Sequence, residues 1–208
     1  MPISNQPQID LWQGRVGEKW AALQERLDAM LAPVTAALRA RAGSVAGLRL
    51  LDIGCGTGAT LILWAEGGAD VTGLDVSTPM LAVAARRTQG KVALVEADAA
   101  TWKSDAPFDL AVSQFGVMFF EDTEAAFANI AANIRPGGRL LFACWRPMAQ
   151  NAWVATPTGA VKPLLPAAPP APANAQSAPP RPGPFALADR VRLESILDAL
   201  HQMPALPG

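Results

Sequence analysis

The 208-residue chain has no tyrosine, one histidine, two cysteines and only 17% charged residues. Each shortage removes a class of function. Cys55 and Cys144 make neither a disulfide framework nor a metal-ligand spacing, so the sequence predicts no metal and a reducing, cytoplasmic setting. His201 is placed in a polar tail beyond the last apolar segment and receives no catalytic role. A formal net charge of -1 supplies no basic field, which argues against unaided nucleic-acid binding and favours a small or uncharged substrate. About 18 consecutive apolar residues occur nowhere, and the N-terminus lacks a charged flank followed by an apolar run. Neither a membrane span nor secretion is expected.

Half of the residues are hydrophobic, enough for one sizeable core but short of two full domains. From Trp20, the residues Leu23, Leu27, Met30, Leu31, Val34 and Leu38 recur at helical spacing and predict an amphipathic cap helix bent near Pro33. Short apolar strands are predicted at Leu48 to Ile53, Asp70 to Leu74, Val92 to Val95, Phe108 to Ser113 and Arg139 to Cys144. Helices are expected after Gly58, from near Ser77, and from Thr123 to Ile134 with Phe127, Ile130 and Ile134 on one face. This alternation predicts an α/β fold with an open, doubly wound, mostly parallel sheet. Ten of the 19 prolines lie between Pro157 and Pro184, where a linker or extended loop is expected, and Asp189 to Leu200 reads as a final helix. The predicted organisation is a helical cap (1–45), an α/β core (46–150), an Ala/Pro-rich linker (151–186) and a C-terminal helix and tail (187–208).

Ligands bind such sheets at the carboxyl ends of the strands. After the first strand comes Asp52-Ile-Gly54-Cys-Gly56-Thr-Gly58, whose glycines tolerate positive φ and let a ligand approach the main chain. After the second comes Asp75-Val76-Ser77, followed by Met80: the carboxylate can accept both hydroxyls of a ribose, Ser77 can cap the next helix, and Met80 can lie against a purine. After the third come Asp98 and Ala99, an acid able to accept from an exocyclic amino group, with Glu96 a neighbouring rival. After the fourth comes Gln114, where a substrate would meet the open site, and Arg135-Pro-Gly-Gly138 reads as a tight turn into the fifth. The glycine run by itself also satisfies a dinucleotide fingerprint, Gly54-x-Gly56-x-x-Ala59 with Asp75 about 20 residues on, which leaves NAD and an oxidoreductase open.

Taken in order, Leu-Asp-Ile-Gly-Cys-Gly-Thr-Gly, Leu-Asp-Val-Ser-x-x-Met-Leu, Glu-Ala-Asp-Ala, Phe-Asp-Leu-Ala-Val-Ser and Arg-Pro-Gly-Gly-Arg-Leu-Leu-Phe resemble the class I S-adenosylmethionine-dependent methyltransferases. The resemblance runs from Leu48 to Arg146, and Trp12 to Trp20 looks like the lead-in of the bacterial quinone-biosynthesis type. It implies S-adenosylmethionine as cofactor and a small-molecule methyl acceptor. It also implies that Gly54, Gly56 and Gly58 face the methionine part, Asp75 the ribose, and Asp98 with Ala99 the adenine, with Asp52, Val76, Met80 and Gln114 among the cofactor-binding residues. The same resemblance implies a closing β-hairpin after the last helix, for which His201 to Gly208 are too few. The fifth strand would then be an exposed edge open to self-association, and activity could be impaired. A non-catalytic cofactor-binding or partner-docking module is the alternative. Trp12 and Trp20 fit either a face toward the sulfonium or packing of the cap; Phe115, Phe119 and Phe120 fit either an acceptor pocket or a helix face. No catalytic base is assigned, Glu121 and Asp122 being candidates by position alone.

Overall fold

The computed structural model describes residues 5–166 and 181–201. Three helices come first: α1 (Gln6–Gln13), α2 (Arg15–Ala22) and α3 (Gln24–Ala42). The periodicity from Trp20 therefore spans two of them, with Leu23 at the joint, and α3 continues through Pro33.

The core alternates as β1 (Arg49–Ile53), α4 (Ala59–Glu66), β2 (Asp70–Asp75), α5 (Thr78–Thr88), β3 (Ala93–Glu96), β4 (Phe108–Gln114), α6 (Thr123–Ala132) and β5 (Ile134–Ala143). All the strand pairs are parallel, in the order β3-β2-β1-β4-β5. The order reverses between β1 and β4, so their carboxyl ends diverge into a crevice.

Alternating side chains along β1 build both halves of the core. Leu51 and Ile53 join Leu74, Ala111, Phe127 and Ile130 on the α6 side. Leu50 joins Leu38, Leu61, Trp64 and Leu81 on the side of α3, α4 and α5. Asp52 shares the second face with Leu50, because side chains two apart on a strand point the same way.

Several expectations change. Arg135 to Gly138 is no turn before β5 but a bulge inside it: Phe108 pairs with Ile134 and Leu110 with Arg139, so the extra β5 residues arch out, with Gly137 at φ 75°. Ile134, placed on the preceding helix by its spacing, opens β5 and still packs on the same apolar cluster. Within the stretch read as linker, α7 (Ala152–Val161) forms despite Pro157. The final helix, α8 (Arg190–His201), includes His201, which the sequence reading put beyond it. Residues 167–180 of the expected linker and the tail after His201 lie outside the described residues. Among the described residues, β5 has a strand partner on one side only, and no helix is long and apolar enough to cross a membrane.

Candidate functional site

The turn after β1 is held by its neighbours' backbone. Gly54 N–H and Cys55 N–H both donate to the Leu74 carbonyl, at 2.8 and 3.2 Å. Gly54, Gly56 and Gly58 all take left-handed φ, at 67°, 56° and 86°. The tightest approach is Gly54 against Gly116, the turn after β4: a Cβ on Gly54 would lie 2.8 Å from Gly116 Cα, and one on Gly116 only 2.6 Å from the Ile53 carbonyl oxygen. Two backbones touch across the mouth of the crevice, which only residues without Cβ permit. Ser113 Oγ donates to the Ile53 carbonyl at 2.8 Å and reinforces the junction.

Asp75 ends β2 directly beside this turn. One carboxylate oxygen accepts from Gly56 N–H and the other from Ser77 N–H, each at 2.8 Å. Burial raises its pKa, and the N–H groups of Ser77, Gly56 and Val76 pull it back. Ser77, expected to cap α5 with its hydroxyl, instead donates that hydroxyl to the Trp12 carbonyl at 2.7 Å. Met80 is buried below, close enough that its Cε would meet a Cβ on Gly56 at 2.9 Å.

Asp52 is separate from the crevice. It is 1% exposed, on the α4 side beneath the turn, and Oδ2 has no hydrogen-bond partner; neither has Trp64 Nε1. Burial lifts its pKa from 3.8 to about 7, partly offset by the Thr60 and Trp64 side chains and reinforced by the charge of Asp75. Burial, with Asp75 and Asp52, also raises the Cys55 thiol well above its ordinary range. That thiol stays protonated and is no nucleophile.

The cap reaches the ends of β2, β3 and β4. Asn5 Nδ2 donates to Asp98 Oδ1 at 3.2 Å, while Asn5 Oδ1 accepts from Glu121 N–H at 3.2 Å. Ala100 N–H also donates to Asp98 Oδ1. Thr35 Oγ1 on α3 donates to Gln114 Oε1 at 2.8 Å. The Trp12 ring meets Phe119 edge-on at 5.0 Å and Trp20 at 5.7 Å. Phe115 has a positive φ of 65° and stacks on Trp145 at 4.3 Å, and Trp145 touches Trp153 at 5.1 Å. Glu96, the rival of Asp98, accepts from Thr78 Oγ1. Asp122 caps α6 through Ala125 N–H.

The structure thus gathers the glycines, Asp75, Val76, Met80, Asp98, Ala99 and Gln114 around one crevice and sets Asp52 below it. The sequence reading missed Asn5, Asp28, Thr35 and Arg87. Each makes a contact at least 59 residues away in the chain, and no local pattern marks such pairs.

A parallel sheet of this order, with a glycine turn after β1 and an acid after β2, defines a nucleotide-type cofactor fold. The family model described as "Methyltransferase domain" matches residues 50–138. The chain is 39% identical over 106 residues to the malonyl-[acyl-carrier protein] O-methyltransferase of Pseudescherichia vulneris, covering 50% of this chain and 42% of that protein. It is 35% identical over 111 residues to the demethylmenaquinone methyltransferase of Thermus thermophilus, covering 50% of each. The chain therefore spans about half the length of the curated relatives it matches. The crystal structure of magnesium protoporphyrin IX methyltransferase from Synechocystis superposes with a TM-score of 0.56 at 20% identity, covering 71% of this chain and 78% of that one, and shares its fold. Over residues 50–138 the α/β core is thus similar to methyltransferase domains, and it shares the fold of S-adenosylmethionine-dependent methyltransferases.

Proposed function

We propose that this chain binds S-adenosylmethionine across the carboxyl ends of β1 to β4 and directs its methyl group to a small-molecule acceptor. The observation that carries the reading is the position of Asp75, fixed by Gly56 N–H and Ser77 N–H at the lip of the glycine turn. Each of its oxygens accepts one backbone N–H there, which leaves a lone pair on each for a ribose hydroxyl. At Asp98 the bonds from Asn5 and Ala100 both fall on Oδ1, leaving Oδ2 for an adenine amino group. Gly54, Gly56 and Gly58 bring main chain to the methionine portion, with Val76, Met80 and Ala99 around the nucleoside. Gln114 faces the acceptor side. Asp52 supports the turn from beneath rather than touching the ligand.

The bound cofactor supplies an electrophilic methyl on a sulfonium. The protein's task is alignment of acceptor, methyl and sulfur together with exclusion of water. Trp12, Trp20 and Phe119 form an aromatic roof suited to a cation. No side chain is assigned as base: Asp122 is engaged as a helix cap and Asp52 is out of reach. The two free cysteines accord with a reducing cytoplasm, and the near-neutral charge with an acceptor other than nucleic acid.

Calorimetric titration with S-adenosylmethionine, S-adenosylhomocysteine and NAD, followed by methyl transfer to a panel of small acceptors, tests the reading. The first two ligands should bind and NAD should not; tighter binding of NAD would replace the methyltransferase by an oxidoreductase. A second reading, a cofactor-binding module that docks or self-associates through β5, is favoured by the single strand partner of β5 among the described residues. Binding without transfer to any acceptor supports it.

A further inference from the structure

Arg87 lies outside every motif of the sequence, yet it joins two parts of the molecule at the cradle. It sits in the last turn of α5, partly buried with its side chain 25% exposed. One guanidinium nitrogen donates to the Thr57 carbonyl at 2.9 Å and to Thr57 Oγ1 at 3.4 Å. The other donates to Asp28 Oδ2 on α3 at 2.7 Å. Thr57 is the residue between Gly56 and Gly58, both left-handed. A peptide flanked by two such glycines has little intrinsic stiffness, so a charge-assisted bond to its carbonyl fixes an orientation that the chain does not fix by itself. The turn is then pinned from two sides: Asp75 takes Gly56 N–H, and Arg87 holds the next residue's C=O. A lysine could not divide its donors in the same planar fork.

We propose that Arg87 is a positioning residue that couples docking of the N-terminal cap to the conformation of the glycine turn, with Asp28 as its contact on the cap. The proposal rests on the reading of the turn as a cofactor cradle. Asp28 orients the guanidinium, the guanidinium orients the Thr57 peptide, and the Gly56 and Gly58 amides follow. Linkage makes the effect reciprocal: whatever ligand is favoured by the ordered turn also tightens the cap.

The test uses the full chain with Arg87→Lys, Arg87→Ala, Asp28→Asn and the Arg87→Ala/Asp28→Asn double variant. S-adenosylhomocysteine affinity is measured by calorimetry and amide exchange by mass spectrometry or NMR. Asp28→Asn, although remote from the ligand, should weaken binding several-fold. Arg87→Lys should weaken it similarly while retaining the fold, and the double variant should lose no more than Arg87→Ala alone. Ligand-dependent protection of α1 to α3 should shrink in all of them. Unchanged affinity in Asp28→Asn and Arg87→Lys, or a double variant equal to the product of the singles, overturns the coupling. If the wild type binds no S-adenosylhomocysteine, the cradle reading fails separately. The coupling is then decided by Gly56 and Gly58 exchange in the free protein, faster in Asp28→Asn if it holds and unchanged if it does not.

Discussion

Asp75 holds two backbone amides in place and is the residue we propose to meet a ribose, so its loss should act on both. Substitution by Ala removes two bonds to a charged acceptor, interactions worth about 1.5–3 kcal/mol each. S-adenosylmethionine affinity is expected to fall about tenfold or more, as read by titration calorimetry; unchanged affinity would remove the ribose assignment. Asp52 predicts a pH effect of definite sign. Its native pKa of about 7 lies above the ordinary 3.8, so between those values the folded protein keeps a proton that the unfolded chain has released. Stability should therefore fall as pH rises from about 4 to about 7 and level off above. The full cost of ionising this carboxyl in place is on the order of 4 kcal/mol. Asp52→Asn should flatten the profile and be more stable than wild type at pH 8 in urea denaturation, leaving a smaller slope from Asp75. An identical slope in the variant would show that Asp52 is ionised in the native protein. At Gly116 an added Cβ meets backbone at 2.6 Å, which no rotamer change can relieve. Gly116→Ala should cost roughly 1–3 kcal/mol of stability, measured by the same denaturation.

At the scale of elements, α3 docks through buried Leu31, Leu38 and Ala42, whereas α1 and α2 are held by individual contacts. Among the residues of α1 none is buried, and of α2 only Gly17 is. A Cβ on Gly17 would lie 2.4 Å from Ser77 Oγ, so α2 comes as close to the end of β2 as backbone allows. The Ser77 hydroxyl then reaches the Trp12 carbonyl. Ser77→Ala should reduce cap docking by about 1 kcal/mol, the net worth of one such bond. Hydrogen exchange would report it as faster exchange in α1 and α2 with the sheet unaffected; uniform loss of protection across the sheet would contradict a local role. The bulge in β5 shows the same economy of local chemistry. Arg135 pairs with Asp109 at 2.5 Å across it, and a Cβ on Gly138 would strike Ile134. The residues that look like a turn in sequence are used to bend a strand.

The whole molecule is an open five-stranded sheet whose lateral edges, among the described residues, are β3 on one side and β5 on the other. An unpaired edge offers a row of N–H and C=O groups to another strand, and Leu140, Leu141 and Phe142 on the β5 edge are only partly buried. Sedimentation over a wide range of concentration should reveal reversible association; a strictly monomeric protein would show that the edge is covered in solution. The strands were legible as short apolar runs, and α4, α5, α6 and α8 as the helical stretches between or after them, and those patterns survive in the sequence whatever the tertiary arrangement. The split of the cap into α1, α2 and α3 was not legible, since its joint at Leu23 interrupts no apolar period. Nor was α7, whose proline and apolar composition resemble a linker. At the site, the glycines and Asp75 were marked by spacing because one strand and one turn dictate their positions. Asn5, Asp28 and Arg87 act across the fold, on partners that no spacing rule connects to them.

By itself the sequence determined the order of strands and helices, the glycine turn, and the acids that follow β2 and β3, because these depend on local periodicity and on backbone conformations few residues tolerate. Only the tertiary structure decided what those groups face. Asp52 comes just before the turn and Asp75 ends the next strand, and they carry the same side chain. Strand alternation sends one beneath the turn, where burial holds its pKa near 7, while the other takes up the turn's own amides at the crevice. Burial raises both pKa values; the difference comes from the backbone amides that reach Asp75, and both effects exist only once the sheet has assembled.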